Sequence, residues 1–233
     1  MITKIITEVE DIIQRSYNVK SFRLKLLSGA QFKAGQFLAV TLNNNPQLKR
    51  YLSISSSPTE GNYLEFTKKI TQSDFSKVLD NLKIGDSLSV EYPFGKFILG
   101  QDKAIAFLSG GIGITPIRSI CKFATDNKLN LDIRLIYANR SAKDIIFQDD
   151  LERMQEVNTN FKLVYVLSEA EAGFNCALGQ INSALIKQEI PDYAQRKFYL
   201  CGPPQMVEAM HKILSQELIL KEAQIVTENF QGY

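Results

Sequence analysis

Histidine, cysteine and tryptophan are scarce in this 233-residue chain, which has one histidine, three cysteines and no tryptophan. The single histidine, His211, excludes His-rich metal sites and argues against a His-dependent catalytic triad; its helical surroundings predict an ordinary surface or boundary residue. Three well-separated cysteines cannot assemble a four-cysteine iron–sulfur site or a clustered zinc site, and their odd number argues against a disulfide framework. We therefore predict no metal site and, because reduced cysteines fit a reducing compartment, a cytoplasmic location.

Net charge and long apolar runs are lacking as well. The formal net charge is only +2, so composition gives no electrostatic argument for nucleic acid or an anionic membrane as a partner. No apolar stretch approaches the ~20 residues of a membrane helix, and the first residues lack the apolar core of a signal peptide. With 45% hydrophobic and 22% charged residues, the composition is that of a globular protein with one large domain or two ordinary ones.

Residues 1–100 show the period-two hydrophobic pattern of β-strands, with turn signals such as Glu60-Gly61-Asn62 between them. One short helix interrupts the pattern at Phe75–Leu82. Six strands and one helix predict a small antiparallel barrel or sandwich, which we assign to a first domain over residues 1–100. The predicted strands are Lys4–Val9, Val19–Leu26, Gln36–Leu42, Arg50–Ser56, Tyr63–Lys69 and Ser87–Tyr92.

After Gly100-Gln101-Asp102 the hydrophobic pattern changes, and short apolar segments typical of buried strands alternate with amphipathic helical segments. This alternation predicts an α/β domain over residues 101–233, with a parallel sheet covered on both faces. The predicted strands are Ala104–Ser109, Asp132–Tyr137, Phe161–Leu167, Lys197–Cys201 and Gln224–Phe230. The predicted helices are Pro116–Asn127, Gln148–Val157, Ile181–Gln188 and Pro204–Leu218.

The first parallel strand is followed by a glycine-rich turn, Gly110–Pro116, that leads into a helix. Glycines at such a strand end let the backbone approach a ligand, and the helix start offers free N–H groups to a phosphate. At the end of the next strand, no acid is present to bind the ribose hydroxyls of NAD. Arg140 and Ser141 would instead suit a 2′-phosphate, which favours NADPH, unless Arg140 is merely a solvated turn residue.

A later strand ends in Cys201-Gly202-Pro203-Pro204, followed by a helix. The carboxyl ends of parallel strands share one rim of the sheet, so this turn should lie beside the glycine-rich one. Cys201 is therefore predicted at a ligand crevice rather than in the core. The remaining unusual segment is Arg50–Pro58, where an arginine and several hydroxyls on one short strand suit a planar ligand with a phosphate tail. The alternative is an edge strand with a solvated serine face.

Four segments thus occur in order: Arg50–Pro58, Gly110–Pro116, Cys201–Met206 and Glu228–Phe230. They resemble the signatures of the ferredoxin–NADP reductase superfamily, which are an Arg-x-Tyr-Ser flavin motif, a Gly-x-Gly-x-x-Pro nicotinamide motif, Cys-Gly-Pro and a Glu-x-aromatic ending. The resemblance spans the whole chain. It implies a six-stranded antiparallel flavin-binding barrel followed by a parallel-sheet nicotinamide-binding domain whose C-terminal tail returns to the flavin. The implied cofactors are FAD, with FMN as the alternative, and NAD(P)H as electron donor.

On the flavin side, the resemblance implies that Arg50 contacts the pyrophosphate and that Ser53 lies beside the flavin N5, where hydride arrives. The other implied flavin-binding residues are Tyr51, Leu52, Phe66, Thr67, Lys68, Asp74, Phe75 and Ser76. The chain departs from the family pattern in two places. Leu52 stands where the family has tyrosine, and Gln72 and Ser73 stand where it has two glycines.

On the nicotinamide side, the resemblance implies that Thr115 and Cys201 flank the nicotinamide. Glu228 would join Ser53 in orienting the rings or relaying protons. Phe230 would cover the flavin face that the nicotinamide must reach, although Tyr233 is a second aromatic that could stack there. The implied nucleotide-binding residues are Gly110, Gly111, Gly113, Thr115, Pro116, Arg140, Ser141, Gly202, Pro203 and Met206.

The function implied by the resemblance is hydride transfer from NAD(P)H to bound flavin, followed by electron transfer to an external acceptor. The acceptor could be a ferredoxin, an oxygenase component, a quinone or free flavin. One alternative is an electron-relay subunit of a larger complex, with a separate protein supplying the iron–sulfur cluster. Another is a sensor or binding module that keeps the fold without the redox cofactor.

Overall fold

The fold was taken from a computed structural model that describes residues 2–26 and 31–229. Its first part is a six-stranded antiparallel sheet with strand order β4-β3-β6-β1-β2-β5. An isolated bridge between Ile54 and Phe66 joins the two edges and closes the sheet into a barrel. The elements of this part are β1 (Thr3–Ser16), β2 (Val19–Lys25), β3 (Phe37–Thr41), β4 (Lys49–Ser53), β5 (Tyr63–Lys69), α1 (Asp74–Asp80) and β6 (Ser87–Phe94).

The barrel core follows from the alternation of apolar side chains along these strands. Phe22 of β2 and Phe66 of β5 are register partners, fully buried, and stacked with ring centroids 5.3 Å apart. Burying a side chain of this size contributes ~1.5–3 kcal/mol. Strand β1 extends to Ser16, well beyond the predicted Lys4–Val9. The prediction stopped early because register shifts after Val9 and Gln14 interrupt the alternation along the strand.

The second part is a six-stranded sheet with strand order β10-β9-β8-β7-β11-β12, in which all strand pairs are parallel. The predicted fold class, an antiparallel barrel followed by a parallel-sheet domain, is therefore confirmed. The two-residue β10 was not predicted because it is too short to show periodicity. The elements are β7 (Ala104–Gly110), α2 (Ile114–Asp126), β8 (Asp132–Asn139), α3 (Gln148–Val157), β9 (Phe161–Leu167), β10 (Ala177–Leu178), α4 (Ser183–Glu189), β11 (Lys197–Gly202), α5 (Pro204–Lys212) and β12 (Ile225–Asn229).

Helix α2 shows how the sequence sets the layers of this domain. Its apolar residues recur at helical spacing and are all fully buried in the core: Ile114, Ile117, Ile120, Cys121 and Ala124. The helix ends at Asp126, and two residues later Lys128 takes a left-handed conformation with φ of 50°. Among the described residues, no helix is both long and apolar enough to cross a bilayer.

The strand order also determines where a ligand would bind. From β7, the chain passes to β8 on one side, whereas β11 lies on the other side of β7. Such a switch point leaves a crevice outside the carboxyl ends of the two central strands. The ends of β7 and β11 are Gly110 and Gly202, so the two turns singled out in the sequence meet at this rim.

Candidate active site

Near the start of β4, positive charge lies next to helix α1. The Arg50 guanidinium lies 5.5 Å from the ring centroid of Phe75 on α1, and its Nη1 donates to the carbonyls of Gln47 and Lys49. Burial, and after it the charge of Arg50, lower the pKa of Lys68 on β5. Two neighbouring cations, one of them buried, would be stabilised by an anion. This arrangement suits the contact with a pyrophosphate that was predicted for Arg50, and it places Lys68, a predicted flavin-binding residue, beside it; both roles stay predictions.

Helix α1 begins with a cluster of hydroxyls. Ser73 is the N-cap, and its Oγ accepts from the backbone N–H of Ser76 at 3.3 Å. The hydroxyls of Thr71 and Ser73 each lie 3.1 Å from that of Ser76. Asp74 points outward with an 89% exposed side chain. These hydroxyls occupy the turn where the family has glycines, so a phosphate there would meet O–H donors; the predicted roles of Asp74, Phe75 and Ser76 stay predictions.

The serine-rich face expected after Arg50 does not form. Strand β4 ends at Ser53, and the hydroxyls of the following serines bond within the protein. The Ser55 hydroxyl donates to Glu65 Oε1 at 2.9 Å and lies 2.8 Å from the Thr67 hydroxyl, and Ser56 Oγ accepts from the N–H of Glu65. The prediction of a ligand-facing row of hydroxyls was therefore wrong for residues 55–57, because β5 supplies the partners of Ser55 and Ser56 and the hydroxyl of Thr59 lies 2.6 Å from that of Ser57.

Ser53 is different from the serines that follow it. Its side chain is buried, yet Oγ has no hydrogen-bond partner among the residues that the structure describes. A buried hydroxyl without a partner costs ~1–3 kcal/mol, so such an atom indicates a missing ligand. A polar edge of a flavin ring is the kind of group that fits it, in agreement with the predicted place of Ser53 beside N5.

The aromatic ring that the family places after Arg50 has no direct substitute on this strand. Leu52 is buried in the barrel core. Tyr51 is 58% exposed and packs edge-on against Phe37 and Phe94, with centroid distances of 5.8 Å. Because neighbouring strand residues point to opposite faces, the Tyr51 ring lies away from Arg50 and Phe75. The predicted flavin contact of Tyr51 is therefore not supported by its side chain.

The predicted flavin contacts on β5 are also made by buried residues. Phe66 belongs to the barrel core, and Thr67 is buried with its Oγ1 2.7 Å from the hydroxyl of Ser21. Both side chains are thus committed to the protein interior. Lys68 is the one member of the predicted trio whose buried charge lies beside Arg50.

On the nucleotide side, the two glycine turns pack backbone against backbone. A Cβ at Gly113 would overlap the carbonyl of Cys201, and a Cβ at Gly110 would overlap the sulfur of Met206. Gly111 has φ of 51°, with open space where a side chain would be. Thr115 and Pro116 are buried in the first turn of α2, and the Thr115 hydroxyl donates to the Ile112 carbonyl. The glycines therefore permit close packing of β7 and β11 at the rim, and their contact with a nucleotide stays a prediction.

Outside these turns lies a cleft of about 590 Å³ between the two parts of the protein. Gly110, Gly111, Arg140, Pro203 and Met206 line it from the sheet, as expected from the sequence. The cleft is also lined by residues that the sequence did not single out: Ser16, Tyr17, Lys69, Asn139 and Asp144.

Two of those residues carry buried polar atoms that point to a polar ligand. Within the described ranges, Ser16 Oγ and Asn139 Oδ1 have no hydrogen-bond partner. A nucleotide offers the donors and acceptors that such atoms lack. Asn139 ends β8, so its position at the rim could have been inferred from the strand pattern. Ser16 gave no comparable signal.

Arg140, predicted to suit a 2′-phosphate, is paired with an exposed carboxylate, and its contact with a nucleotide stays a prediction. Its Nε donates to Glu169 Oε1 at 2.7 Å, and both side chains are exposed. The Ser141 hydroxyl donates to Asp144 Oδ2 at 2.8 Å. Burial opposes ionisation of Asp144, but hydrogen bonds from Ser141 and Tyr17 hold its pKa below the ordinary value. The positive charge of Arg140 at this rim is therefore balanced by the carboxylates of Glu169 and Asp144, which come later in the chain than the Arg140-Ser141 pair.

A row of three polar side chains crosses the carboxyl end of the sheet. Cys201 of β11 is the register partner of Ser109 on β7 and of Glu228 on β12. Burial raises the pKa of Glu228 to about 8, and burial followed by the charge of Glu228 raises that of Cys201. Ser109 Oγ and Glu228 Oε2 lack hydrogen-bond partners in the part of the chain that the structure describes.

This row corrects the predicted surroundings of Cys201. Cys201 does lie at the strand end, but its side chain is fully buried and belongs to the apolar core, so it is not exposed at an open crevice. The raised pKa of Glu228 favours its protonated form at neutral pH, and its predicted part in a proton relay stays a prediction. Phe230 and Tyr233, predicted to stack on the flavin, lie outside the described residues.

Comparison with known proteins identifies both parts of the chain. Residues 6–98 match the family model of the oxidoreductase FAD-binding domain, and residues 107–212 match that of the oxidoreductase NAD-binding domain. The chain is 33% identical to NADH-cytochrome b5 reductase 1 of Aspergillus terreus over 213 residues, which cover 84% of this chain and 72% of the relative.

The chain belongs to the ferredoxin–NADP reductase superfamily.

Two further matches agree with this membership. The glycine betaine monooxygenase reductase subunit of Pseudomonas aeruginosa is 34% identical and covers 87% of this chain, which spans only 58% of that relative. The cytochrome b5 reductase domain of Ulva prolifera nitrate reductase has the same fold, with a TM-score of 0.85, 22% identity and 97% coverage of both chains. As a superfamily member, the protein is an NAD(P)H-dependent flavoprotein reductase with FAD as its cofactor. The buried Ser53 hydroxyl, which has no hydrogen-bond partner within the described ranges, and the neighbouring charges of Arg50 and Lys68 fit that cofactor.

Proposed function

We propose that this protein is an NADH-dependent flavoprotein reductase that delivers electrons to a separate redox protein. Bound FAD would supply the redox chemistry by converting a two-electron hydride transfer into one-electron steps. The chain's own residues would hold the two ring systems in reacting geometry and exclude water from them. The observation that carries the choice of donor is the pairing of Arg140 with Glu169.

The rim around Arg140 favours ribose hydroxyls over a 2′-phosphate. Glu169 accepts from Arg140 at 2.7 Å, and Glu171 accepts from the backbone N–H of Ala142 at 3.2 Å. Asp144, in the same loop, lines the cleft. A phosphate placed here would meet these carboxylates as like charges, an effect that salt reduces at an exposed site. A doubly charged phosphate would therefore bind poorly, whereas hydroxyls could donate to these carboxylates.

A redox protein is the acceptor class that the relatives support. The fungal relative is named for cytochrome b5, and the bacterial relative is the reductase subunit of a monooxygenase. We propose that this protein passes single electrons to a small haem or iron–sulfur protein. The second relative also favours a subunit role, in which the redox partner is a separate chain of the same enzyme. We further propose that the chain acts in the cytoplasm and that its first domain, residues 1–100, holds the flavin.

The test is stopped-flow reduction of the FAD-loaded protein by NADH and by NADPH, without oxygen. We expect NADH to reduce the flavin with a kcat/KM at least ~10-fold above that of NADPH, which corresponds to ~1.4 kcal/mol. Equal values, or a preference for NADPH, would overturn the assignment of the donor. Re-oxidation of the reduced protein by cytochrome b5 or by a ferredoxin then tests the acceptor class, with free flavin and a quinone as the alternatives.

A further inference from the structure

Helix α2 connects the two sides of the active site directly. It begins within the glycine-rich turn, and about one helical turn later two of its side chains contact the barrel domain. Arg118 Nη1 donates to the carbonyl of Ser55 at 3.1 Å, and the Ser119 hydroxyl donates to the carbonyl of Ser56 at 2.6 Å. Ser55 is two residues after Ser53, and Arg118 is three residues after Thr115. The contact therefore joins the backbone next to the proposed flavin N5 site to the backbone next to the proposed nicotinamide site.

Arg118 is held on the barrel side and on the nucleotide side at the same time. Nη2 donates to Glu60 Oε1 at 2.8 Å, and Nη1 also bonds the other oxygen of that carboxylate. From its own domain, Asp150 accepts from Nε at 3.0 Å and from Nη2 at 2.8 Å. The side chain of Arg118 is only 5% exposed. The planar guanidinium fork satisfies these acceptors together, which a lysine ammonium would not do.

An aromatic ring reinforces the same contact. The guanidinium carbon of Arg118 lies 5.4 Å from the ring centroid of Phe147, and that of Arg15, from the barrel, lies 4.6 Å from the same ring. Phe147 has φ of 59°, a left-handed conformation that is rare for a bulky residue. Arg15 in turn pairs with Glu65 at 3.1 Å. The ring of Phe147, whose backbone is strained, thus lies next to an arginine of each domain, which indicates that the contact has a defined geometry.

We propose that Arg118 is a positioning residue for hydride transfer: it fixes the nucleotide domain against the barrel so that the nicotinamide meets the flavin at reacting distance. The inference rests on the proposed function of NADH-driven flavin reduction. Hydride transfer is steep in distance and angle, and a misplacement of ~1 Å costs ~100-fold in rate. Arg118 acts through the backbone carbonyl of Ser55, and its neighbour Ser119 acts through that of Ser56.

Arg196 provides a matched control. It is 1% exposed, pairs with Asp192 at 2.7 Å and with Asp132 at 3.1 Å, and donates to the carbonyl of Ile105 at 3.1 Å. All of these partners lie within the nucleotide domain. Replacing either arginine by lysine removes a buried, fully used guanidinium, but only Arg118→Lys loosens the contact between the domains.

The experiment compares FAD-loaded Arg118→Lys and Arg196→Lys with the wild type. We expect Arg118→Lys to slow flavin reduction at saturating NADH by ~10–100-fold and to weaken the NADH–flavin charge-transfer absorbance, with the Kd for NADH changed less than threefold. Arg196→Lys should keep the wild-type rate and absorbance at a comparable loss of thermal stability. A wild-type rate in folded Arg118→Lys, or equal slowing in both variants, would overturn the proposal.

Two further measurements keep the inference testable on its own. Amide hydrogen exchange of residues 53–62 should speed up in Arg118→Lys but not in Arg196→Lys, and this readout does not depend on activity. If wild-type protein is not reduced by NADH, the proposed donor fails, and the exchange result still decides whether Arg118 joins the domains. If Arg118→Lys does not fold, Ser119→Ala removes a single interdomain bond and should slow reduction in the same direction; an unchanged rate in Ser119→Ala would then refute the proposal.

Discussion

Cys201 and Glu228 are register partners on adjacent parallel strands, and both are largely withdrawn from solvent at the carboxyl end of the sheet. Burial makes the charged form of each costly, and a charge on Glu228 would further oppose a thiolate at Cys201. Both pKa shifts therefore favour a neutral thiol and a neutral carboxylic acid at neutral pH. Glu228 is the member that can exchange a proton within the physiological range.

The pKa of Glu228 leads to a prediction about stability and pH. Burial raises it from 4.5 to about 8, so between these values the folded protein holds a proton that the unfolded chain has released. The free energy of unfolding should therefore fall as the pH rises through this window. Urea denaturation at several pH values should show this fall, and Glu228→Gln should remove it. Glu208→Gln, at an exposed carboxylate bonded to Lys212, is the control and should keep it; a retained fall in Glu228→Gln would contradict the assignment.

Ser53→Ala should separate stability from catalysis. Because the buried Ser53 hydroxyl has no hydrogen-bond partner among the described residues, its removal should leave the apoprotein as stable as the wild type or more stable. Flavin reduction by NADH should slow by ~100-fold, the scale of a lost positioned hydrogen bond. Ser55→Ala is the matched control, since its hydroxyl bonds to Glu65 and should cost ~1–3 kcal/mol of unfolding free energy when removed. A destabilised Ser53→Ala apoprotein would show that the hydroxyl has an internal role instead.

Glu169→Gln should shift the nucleotide preference towards NADPH. The substitution releases the Arg140 guanidinium from its 2.7 Å contact and removes one negative charge from the rim. We expect the ratio of kcat/KM for NADPH over NADH to rise by ~10-fold, which corresponds to ~1.4 kcal/mol. Asp80→Asn, which breaks the Lys20 ion pair on the barrel, should leave the ratio unchanged. The gain should disappear in the double variant that adds Arg140→Ala; if it persists, Arg140 is not the group that binds the phosphate.

Tyr17→Phe should speed release of the oxidised nucleotide. The Tyr17 hydroxyl donates to Asp144 Oδ1 at 3.0 Å, and the two residues line opposite sides of the cleft. Loss of this exposed bond should raise the NAD⁺ dissociation rate a few-fold while leaving the rate of flavin reduction at saturating NADH unchanged. Tyr63→Phe, a half-buried tyrosine on β5 that lies under Arg23, is the control. Equal release rates in Tyr17→Phe and the wild type would show that this contact does not retain the nucleotide.

The sequence by itself determined the fold class and the rim where the turns meet. Period-two alternation predicted β5, and the strand–helix rhythm predicted β9 and α3, at their observed bounds. The Gly110 and Cys201 turns were placed on one sheet edge because carboxyl ends of parallel strands share an edge. These inferences rest on neighbours within a few residues, whose periodicity a sequence displays directly.

Only the tertiary structure decided which side chains are available to bind a ligand. The Ser55 hydroxyl is used by Glu65, and Arg140 is paired with Glu169, twenty-nine residues away along the chain. Asn139 and Ser16 come together in the cleft from different domains. Such partners are joined by strand order and domain packing rather than by spacing along the chain. For this reason the sequence could propose Ser53 and Arg50, whereas burial and hydrogen bonding showed that the Ser53 hydroxyl, unlike that of Ser55, has no partner among the described residues.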